Sequence, residues 1–169
     1  VRSMIDSFLK YLQYEKRLSP HTLLAYTQDL SQFKAFLVKV YECDEAEKAS
    51  YNMIRSWIID LTETGLEAPS VNRKIACLRS FYRFCLRQQT ISKNPMMKIR
   101  VLKTSKKLPA FVSEGDMVKL LDNVPFADTF EGWRDKALLE LFYATGIRLS
   151  ELINLKEANV DLKSQTIKV

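Results

Sequence analysis

The chain has 169 residues, of which 47% are hydrophobic and 27% are charged, and its net charge is +6 at neutral pH. This composition excludes a disordered or collagen-like chain and suits one ordinary domain or two small ones. No apolar run approaches the roughly 18 residues that a membrane span needs, and Val1 does not begin a signal-peptide pattern, so we expect a cytoplasmic protein without a membrane partner.

The 3.6-residue period of apolar side chains predicts four helices in the first part of the chain. The second begins with Ser as N-cap and Pro in the first turn, and the third is ended by a glycine. We predict their bounds as Ser3–Lys16, Ser19–Tyr41, Ser50–Gly65 and Pro69–Gln89. The buried side of the fourth helix is predicted to consist of Val71, Ile75, Leu78, Tyr82 and Cys85.

The positive charge is concentrated in one segment. From Ala68 to Ser113 the chain has eleven Lys and Arg residues and no Asp or Glu, so this segment carries +11 and the remainder carries −5. Such asymmetry favours a polyanion as partner, most often nucleic acid, over a solvated basic surface with a basic linker. The sequence therefore predicts a DNA-binding helix over residues 69–89.

The remaining residues predict a linker and a second group of helices. Asn94-Pro95 ends the fourth helix, and residues 101–112 are predicted to be a basic linker between a domain at 1–100 and a second at 113–169. Helices are predicted from Ser113 to Asp122, Glu131 to Thr145 and Leu149 to Leu155. Residues 166–169 predict a final strand without a following partner, as in an incomplete domain.

The three cysteines show neither disulfide nor metal spacing. Cys77 and Cys85 are eight residues apart on the apolar side of the fourth predicted helix, with Phe81 between them. We therefore expect reduced thiols in a core, and no metal site.

The stretch Ala144–Leu152 places an arginine after a helix that a glycine ends, and before a helix that Ser150 and Glu151 open. An arginine at such a position can present its planar guanidinium to a phosphate. The structural alternative is a salt bridge from Arg148 to Glu151 or Glu140.

These pieces, in this order, resemble the tyrosine recombinase (phage integrase) family, and its Xer-type members most closely. The similarity is carried by Leu18-Ser19-Pro20-His21-Thr22, by Asn72-Arg73 through Phe84, by Asn94-Pro95, by Lys107-Leu108-Pro109 and most specifically by Arg134–Leu139 with Tyr143–Leu152. The resemblance implies a mainly α fold: a four-helix, SAM-like core-binding domain, then the truncated helical start of a catalytic domain with a possible final strand.

The resemblance also implies an activity and catalytic residues. The family cleaves one DNA strand with a tyrosine, keeps a 3′-phosphotyrosine bond and rejoins the strand elsewhere, with neither cofactor nor metal. Arg148 corresponds to the first catalytic arginine, which binds the scissile phosphate, and Glu151 to a supporting acid. The family's later lysine, His-x-x-Arg pair and nucleophilic tyrosine have no match here, so we expect this chain alone to be inactive.

Double-stranded DNA is the implied partner, bound by a tetramer on two DNA sites in the complete protein and by a monomer in the case of this chain alone. The residues expected to contact DNA, mainly at phosphates, are His21, Thr22, Arg73, Lys74, Arg79, Arg83, Arg87, Lys103, Lys106 and Lys107. Two alternatives remain open. One is a DNA-binding module without catalysis, and the other is a helical protein-interaction domain, which would have no affinity for DNA.

Overall fold

A computed structural model of the chain describes residues 3–105 and 111–169. The chain divides into two compact units, Val1–Lys106 and Lys107–Val169. The division falls inside the predicted linker, residues 101–112. The predicted mainly helical fold is confirmed. None of the described helices is long and apolar enough to cross a membrane.

Within residues 3–105 the first unit contains four α-helices: α1 (Met4–Lys10), α2 (Pro20–Tyr41), α3 (Tyr51–Glu63) and α4 (Ala68–Arg87). The first predicted helix is correct in extent, but its last turn, Tyr11–Glu15, is π-helical. Serine residues cap the N-termini of three of these helices, because each hydroxyl accepts a hydrogen bond from a backbone N–H that has no partner inside the helix. The pairs are Ser3 with Asp6 at 3.2 Å, Ser19 with Thr22 at 3.3 Å and Ser50 with Met53 at 3.3 Å.

One aromatic-rich core joins the four helices. Phe33 of α2 packs against Trp57 of α3 with ring centroids 4.9 Å apart, and Phe8 of α1 meets Phe81 of α4 at 5.5 Å. Each such ring stabilises the fold by about 1.5–3 kcal/mol when it leaves water. The predicted core side of α4 is confirmed, because all of its members are buried: Val71, Ile75, Leu78, Tyr82 and Cys85.

The cysteines of α4 are buried free thiols, as the sequence predicted. Burial raises the pKa of Cys77 to about 12 and that of Cys85 to about 12. A thiol with so high a pKa is almost entirely protonated near neutral pH, and the thiolate is the reactive form. Both cysteines therefore act as core residues.

The segment after α4 packs against the first unit instead of extending from it. A 3₁₀ turn at Pro95–Lys98 leads into Ile99, which is buried. The side-chain amide of Asn72 then donates to the carbonyl of Leu102 at 2.9 Å and accepts the N–H of Leu102 at 2.8 Å. These two bonds, across 30 residues of sequence, fix the backbone to α4 two residues beyond the predicted end of the domain.

The described part of the second unit, residues 111–169, contains three α-helices and a small hairpin. The helices are α5 (Glu114–Asn123), α6 (Phe130–Thr145) and α7 (Leu149–Ile153). The hairpin pairs β1 (Val160–Asp161) with β2 (Thr166–Ile167) in antiparallel register. The prediction of a strand at residues 166–169 is correct, but the lone strand is not, because a preceding strand pairs with it. A two-residue strand is too short for a period-2 pattern, so the sequence did not predict β1.

Gly132, in the first turn of α6, lies against the backbone of Ala127. A Cβ atom at Gly132 would lie 2.0 Å from the carbonyl oxygen of Ala127. We expect Gly132→Ala to destabilise the second unit by about 1–3 kcal/mol, because the backbone must move to admit the methyl group. Hydrogen–deuterium exchange measures this effect as faster exchange in α6 with unchanged exchange in α4.

Gly115 supplies a matched control for this prediction. It is the other helical glycine of the second unit, and a Cβ atom added to it meets no atom within 4 Å. Gly115→Ala should therefore leave exchange in α6 unchanged, or slow exchange in α5, because Ala has the higher helix propensity. An equal response of α6 to both substitutions would contradict the steric explanation.

Candidate nucleic-acid interface

Arg79, Arg83 and Arg87, at successive turns of α4, form a basic stripe. Its exposed part consists of Arg83 and Arg87. They lie one helical turn apart, and both are exposed. The Nε group of Arg83 donates to the carbonyl of Arg79 at 3.3 Å, and the guanidinium carbon of Arg87 lies 4.4 Å from the centroid of the Tyr11 ring. Neither forms an ion pair with an acid among the described residues. Their positive charge is therefore available to an external anion.

Arg79, on the same stripe, has a structural contact as well. Its Nη2 group donates to the carbonyl of Ile99 at 2.7 Å, and the residue is half-buried. A guanidinium has five donors, so this bond leaves others free for a phosphate. Arg79 thus holds the segment after α4 in place and still adds charge to the stripe.

Asp29 of α2 lies buried against α4, where it binds two cations. Its carboxylate accepts hydrogen bonds from both terminal nitrogens of the Arg73 guanidinium. It also accepts one from Nζ of Lys74, at 2.8 Å. Lys74 donates in addition to the side chain of Gln32. Asp29 and Lys74 are 1% and 5% exposed, respectively, whereas the side chain of Arg73 is 52% exposed. An acid from another helix therefore neutralises part of the basic segment.

This arrangement corrects the assignment of Lys74 to phosphate binding. The ammonium group is enclosed between α2 and α4 with its charge satisfied, and removing it from Asp29 would leave a buried carboxylate with fewer partners. Arg73 keeps an exposed edge, so its predicted role stays a prediction. Sequence reasoning missed Asp29, although a signal existed: residue 29 follows Tyr26 by three and precedes Phe33 by four, which places it on the apolar face of α2.

The other predicted DNA contacts lie at the start of α2 and after α4. His21 is exposed in the first turn of α2, and the hydroxyl of Thr22 lies 2.9 Å from the hydroxyl of Ser19. Lys103 is exposed. Lys106 and Lys107 lie outside the described residues. Arg83 and Arg87 also line a cleft together with Leu18, which precedes α2, with Tyr26 of α2 and with Ser80, whereas His21 and Thr22 are not on its lining.

Arg148, the residue expected to bind the scissile phosphate, lies in the second unit at the N-cap of α7. Gly146 ends α6 in the left-handed conformation, with φ of 64°, and the chain turns so that Arg148 opens the next helix. The side chain of Arg148 is 81% exposed, and its Nη1 lies 2.7 Å from Oε1 of Glu151. The second carboxylate oxygen, Oε2, accepts the backbone N–H of Arg148 at 2.9 Å.

Glu151 therefore holds both the backbone and the side chain of Arg148. The backbone N–H of Arg148, followed by its guanidinium, lowers the pKa of Glu151. A lowered pKa in the folded state means that the contact is present above the usual pKa of glutamate and is lost as the pH falls through the lowered value. Of the two salt bridges that the sequence offered for Arg148, the described residues contain the one to Glu151 and not the one to Glu140, which instead lies 3.9 Å from Lys136.

The described residues, 3–105 and 111–169, contain no group of three His, Cys, Asp or Glu side chains arranged as metal ligands. At two places the structure sets an acid beside an exposed arginine. Asp29 supports Arg73, and Glu151 supports Arg148. Such sites bind phosphate oxygens through charge and directed N–H groups.

Two family models match the chain, one for each unit. Residues 5–89 match the N-terminal SAM-like domain of phage integrase, and residues 110–169 match the phage integrase family. The chain belongs to the phage integrase, or tyrosine recombinase, family. The first match covers α1–α4, and the second covers the helices that carry Arg148 and Glu151. The family assignment made from the sequence is thereby confirmed.

Curated members of the family show how much of such a protein this chain represents. Tyrosine recombinase XerC of Bacillus pumilus is 37% identical over 166 residues, which are 98% of this chain and 54% of the relative. Tyrosine recombinase XerC of Staphylococcus carnosus is 41% identical over 164 residues, 97% of this chain and 54% of the relative. The chain spans about half the length of the curated relatives it matches.

Solved structures of two integrases share the fold. The Tn1549 transposon integrase in complex with circular intermediate DNA matches with a TM-score of 0.70 at 14% identity, over 99% of this chain and 53% of that one. A lambda integrase dimer bound to a COC′ core site matches with a TM-score of 0.66 at 18% identity, over 98% and 46%. At these identities the similarity concerns the fold.

Proposed function

We propose that this protein acts in site-specific DNA recombination, as the N-terminal part of a tyrosine recombinase. Family membership supports the proposal, as do relatives named tyrosine recombinase XerC that align with nearly the whole chain. In the reaction, a tyrosine oxygen attacks a DNA phosphate, the 5′-hydroxyl leaves, and a 3′-phosphotyrosine forms. The 5′-hydroxyl of another strand then displaces the tyrosine, so no external energy source is consumed.

The first unit binds duplex DNA. The observation that carries this step is the exposed stripe of Arg83 and Arg87 on α4, which lies in a segment of +11 and has no acid paired with it among the described residues. His21 and Thr22 at the start of α2, the outer edge of Arg73, and Arg79 add contacts beside it. These groups bind phosphates and position the protein, whereas base reading requires contacts at the groove edges.

The second unit contributes the first catalytic arginine. Arg148 binds the non-bridging oxygens of the scissile phosphate, where negative charge accumulates as the tyrosine attacks. Its guanidinium offers two parallel donors in one plane to those oxygens. Glu151 acts as a positioning residue, because it bonds the backbone and side chain of Arg148 and leaves that side chain 81% exposed.

The 169 residues by themselves are expected to bind duplex DNA without cleaving it. Binding should be weak and should weaken further with salt, because it depends on displacing ions from phosphates. Fluorescence anisotropy with a labelled duplex at several salt concentrations measures the affinity. A nicked suicide duplex, which traps a covalent protein–DNA adduct, tests for cleavage.

Each outcome of this pair of measurements has a distinct meaning. Binding without an adduct supports a chain that supplies DNA binding and one catalytic arginine. A covalent adduct would contradict the expected inactivity, and absence of binding even at low salt would favour a helical protein-interaction domain. The alternative of a DNA-binding module without catalysis predicts no adduct even when the C-terminal half found in the relatives is supplied.

A further inference from the structure

The first unit contains a cleft with aromatic and apolar walls whose described charged residues are all basic. Its volume is about 410 Å³, and its walls come from Tyr11 and Leu12 of the π-helical turn, from Leu18 and Tyr26, and from the second half of α4. Three cations line it: Lys16, Arg83 and Arg87. No acid lines it among the residues that the structure describes. Neither Lys16 nor Tyr11 belongs to the interface that the sequence predicted.

The π-helical turn explains why a cation reaches this cleft. The N–H of Lys16 donates to the carbonyl of Tyr11 at 3.1 Å, which is a bond between residues five apart. In an α-helix Glu15 would make this bond instead and would follow Tyr11 on the same face. The wider turn brings Nζ of Lys16 to 6.0 Å from the centroid of the Tyr11 ring. Such single π turns occur frequently at functional sites.

Arg87 is fixed on the aromatic wall of the cleft. Its guanidinium carbon lies 4.4 Å from the centroid of Tyr11 and 5.9 Å from that of Phe84. The two rings stack on each other at 5.1 Å. A guanidinium that lies on an aromatic face is held by its plane, so the N–H groups at its edges remain free to bind an anion. The Arg87 guanidinium beside the ring is also the main cause of the lowered pKa of Tyr11.

The charges in the cleft are unbalanced within the described part of the chain. Lys16 and Arg87 share one aromatic ring, Arg83 lies on the same lining, and no described acid is within ion-pair distance of any of them. Like charges held this close repel one another, and an anion between them replaces repulsion with attraction. The hydroxyl of Ser80, also on the lining, adds a neutral donor.

We propose that this cleft binds a phosphate of duplex DNA, with Lys16 and Arg87 as its charged contacts and Tyr11 as the platform that orients Arg87. The proposal rests on the proposed function, since it extends the DNA interface from α4 onto the turn that follows α1. Duplex DNA is favoured over a free anion because Arg83 and Arg87 belong both to the cleft and to the exposed stripe of the +11 segment.

The test compares Lys16→Gln and Arg87→Gln with charge-matched controls outside the cleft. Lys10→Gln, on the same helical segment, and Arg55→Gln, on α3, each remove one exposed positive charge. We expect the cleft variants to lose affinity for duplex DNA by about tenfold, as for one charge-assisted hydrogen bond. Their log–log salt dependence should fall in slope by about 1, the value of one phosphate contact. The controls should change neither quantity by a comparable amount.

The outcomes separate this proposal from the function on which it rests. If the unmodified protein binds no duplex even at low salt, the proposed function fails. If it binds, and Lys16→Gln behaves like Lys10→Gln, the cleft proposal alone is overturned; Lys16 is exposed, so misfolding does not obscure this result. A loss confined to one DNA sequence would also overturn it, because a phosphate contact weakens binding to all sequences alike.

Discussion

Replacing Arg148 with Ala should lower the rate of strand cleavage by about 10³-fold or more in a protein that contains this chain and the remaining length of its relatives. The substitution removes two directed donors from the phosphate at the moment when its negative charge increases. Affinity for the DNA site should change little, because the first unit holds most of the exposed positive charge. Covalent adduct formation on a nicked duplex measures cleavage, and electrophoretic mobility measures site binding.

Two further variants sharpen this test. Arg148→Lys keeps the charge but loses the planar fork, so a large loss with Lys as well would show that directed donors matter. Arg134→Ala removes another half-exposed arginine of the second unit, whose ion pair is with its neighbour Asp135, and it should cleave normally. Normal recombination by Arg148→Ala would overturn the assignment of this residue.

Replacing Asp29 with Asn should lower the free energy of unfolding of the first unit by about 3–5 kcal/mol. The substitution removes the negative charge from beside Lys74, whose ammonium is buried with Asp29 and Gln32 as its partners. Urea denaturation measures the change. With Trp133→Phe as the background, the fluorescence of Trp57, which is 2% exposed in the core, reports on the first unit alone.

Asp60 provides the control for this prediction, because it is an exposed aspartate on α3. Asp60→Asn should change the free energy of unfolding by less than about 0.5 kcal/mol. The paired replacement of Asp29 by Leu and Lys74 by Met should recover most of the loss, since apolar residues of similar volume often replace a buried ion pair without cost. Unchanged stability of Asp29→Asn would contradict the account given for Lys74.

The sequence predicted those features that depend on neighbouring residues. Helices appear where the apolar period and the caps placed them, as with Ser19 before α2 and Gly146 after α6. The turn that presents Arg148 was predictable for the same reason, since Gly146, Arg148 and Glu151 lie within six residues. These contacts join residues a few positions apart, so the spacing of residue types along the chain predicts them.

The sequence did not predict contacts that depend on how helices pack. The acid that neutralises Lys74 lies 45 residues earlier in the chain, so a count of charges along α4 could not include it. The cleft residue Lys16 was missed for a different reason. Its position depends on a bond between residues five apart, whereas helical patterns assume four. Both contacts join residues that the 3.6-residue period of a regular α-helix does not relate to each other.

The two hydrogen bonds between Asn72 and Leu102 restrict which amino acid can stand at position 72 far more than at position 102. Asn72 binds only the main-chain N–H and C=O of Leu102, which every residue except proline offers. Position 102 can therefore vary as far as these bonds are concerned. Position 72 has no such freedom, because Asp lacks the donor, Leu lacks both groups and Gln adds a methylene that moves the amide. Among related sequences that keep these bonds, we therefore expect Asn at position 72 and many different residues at position 102.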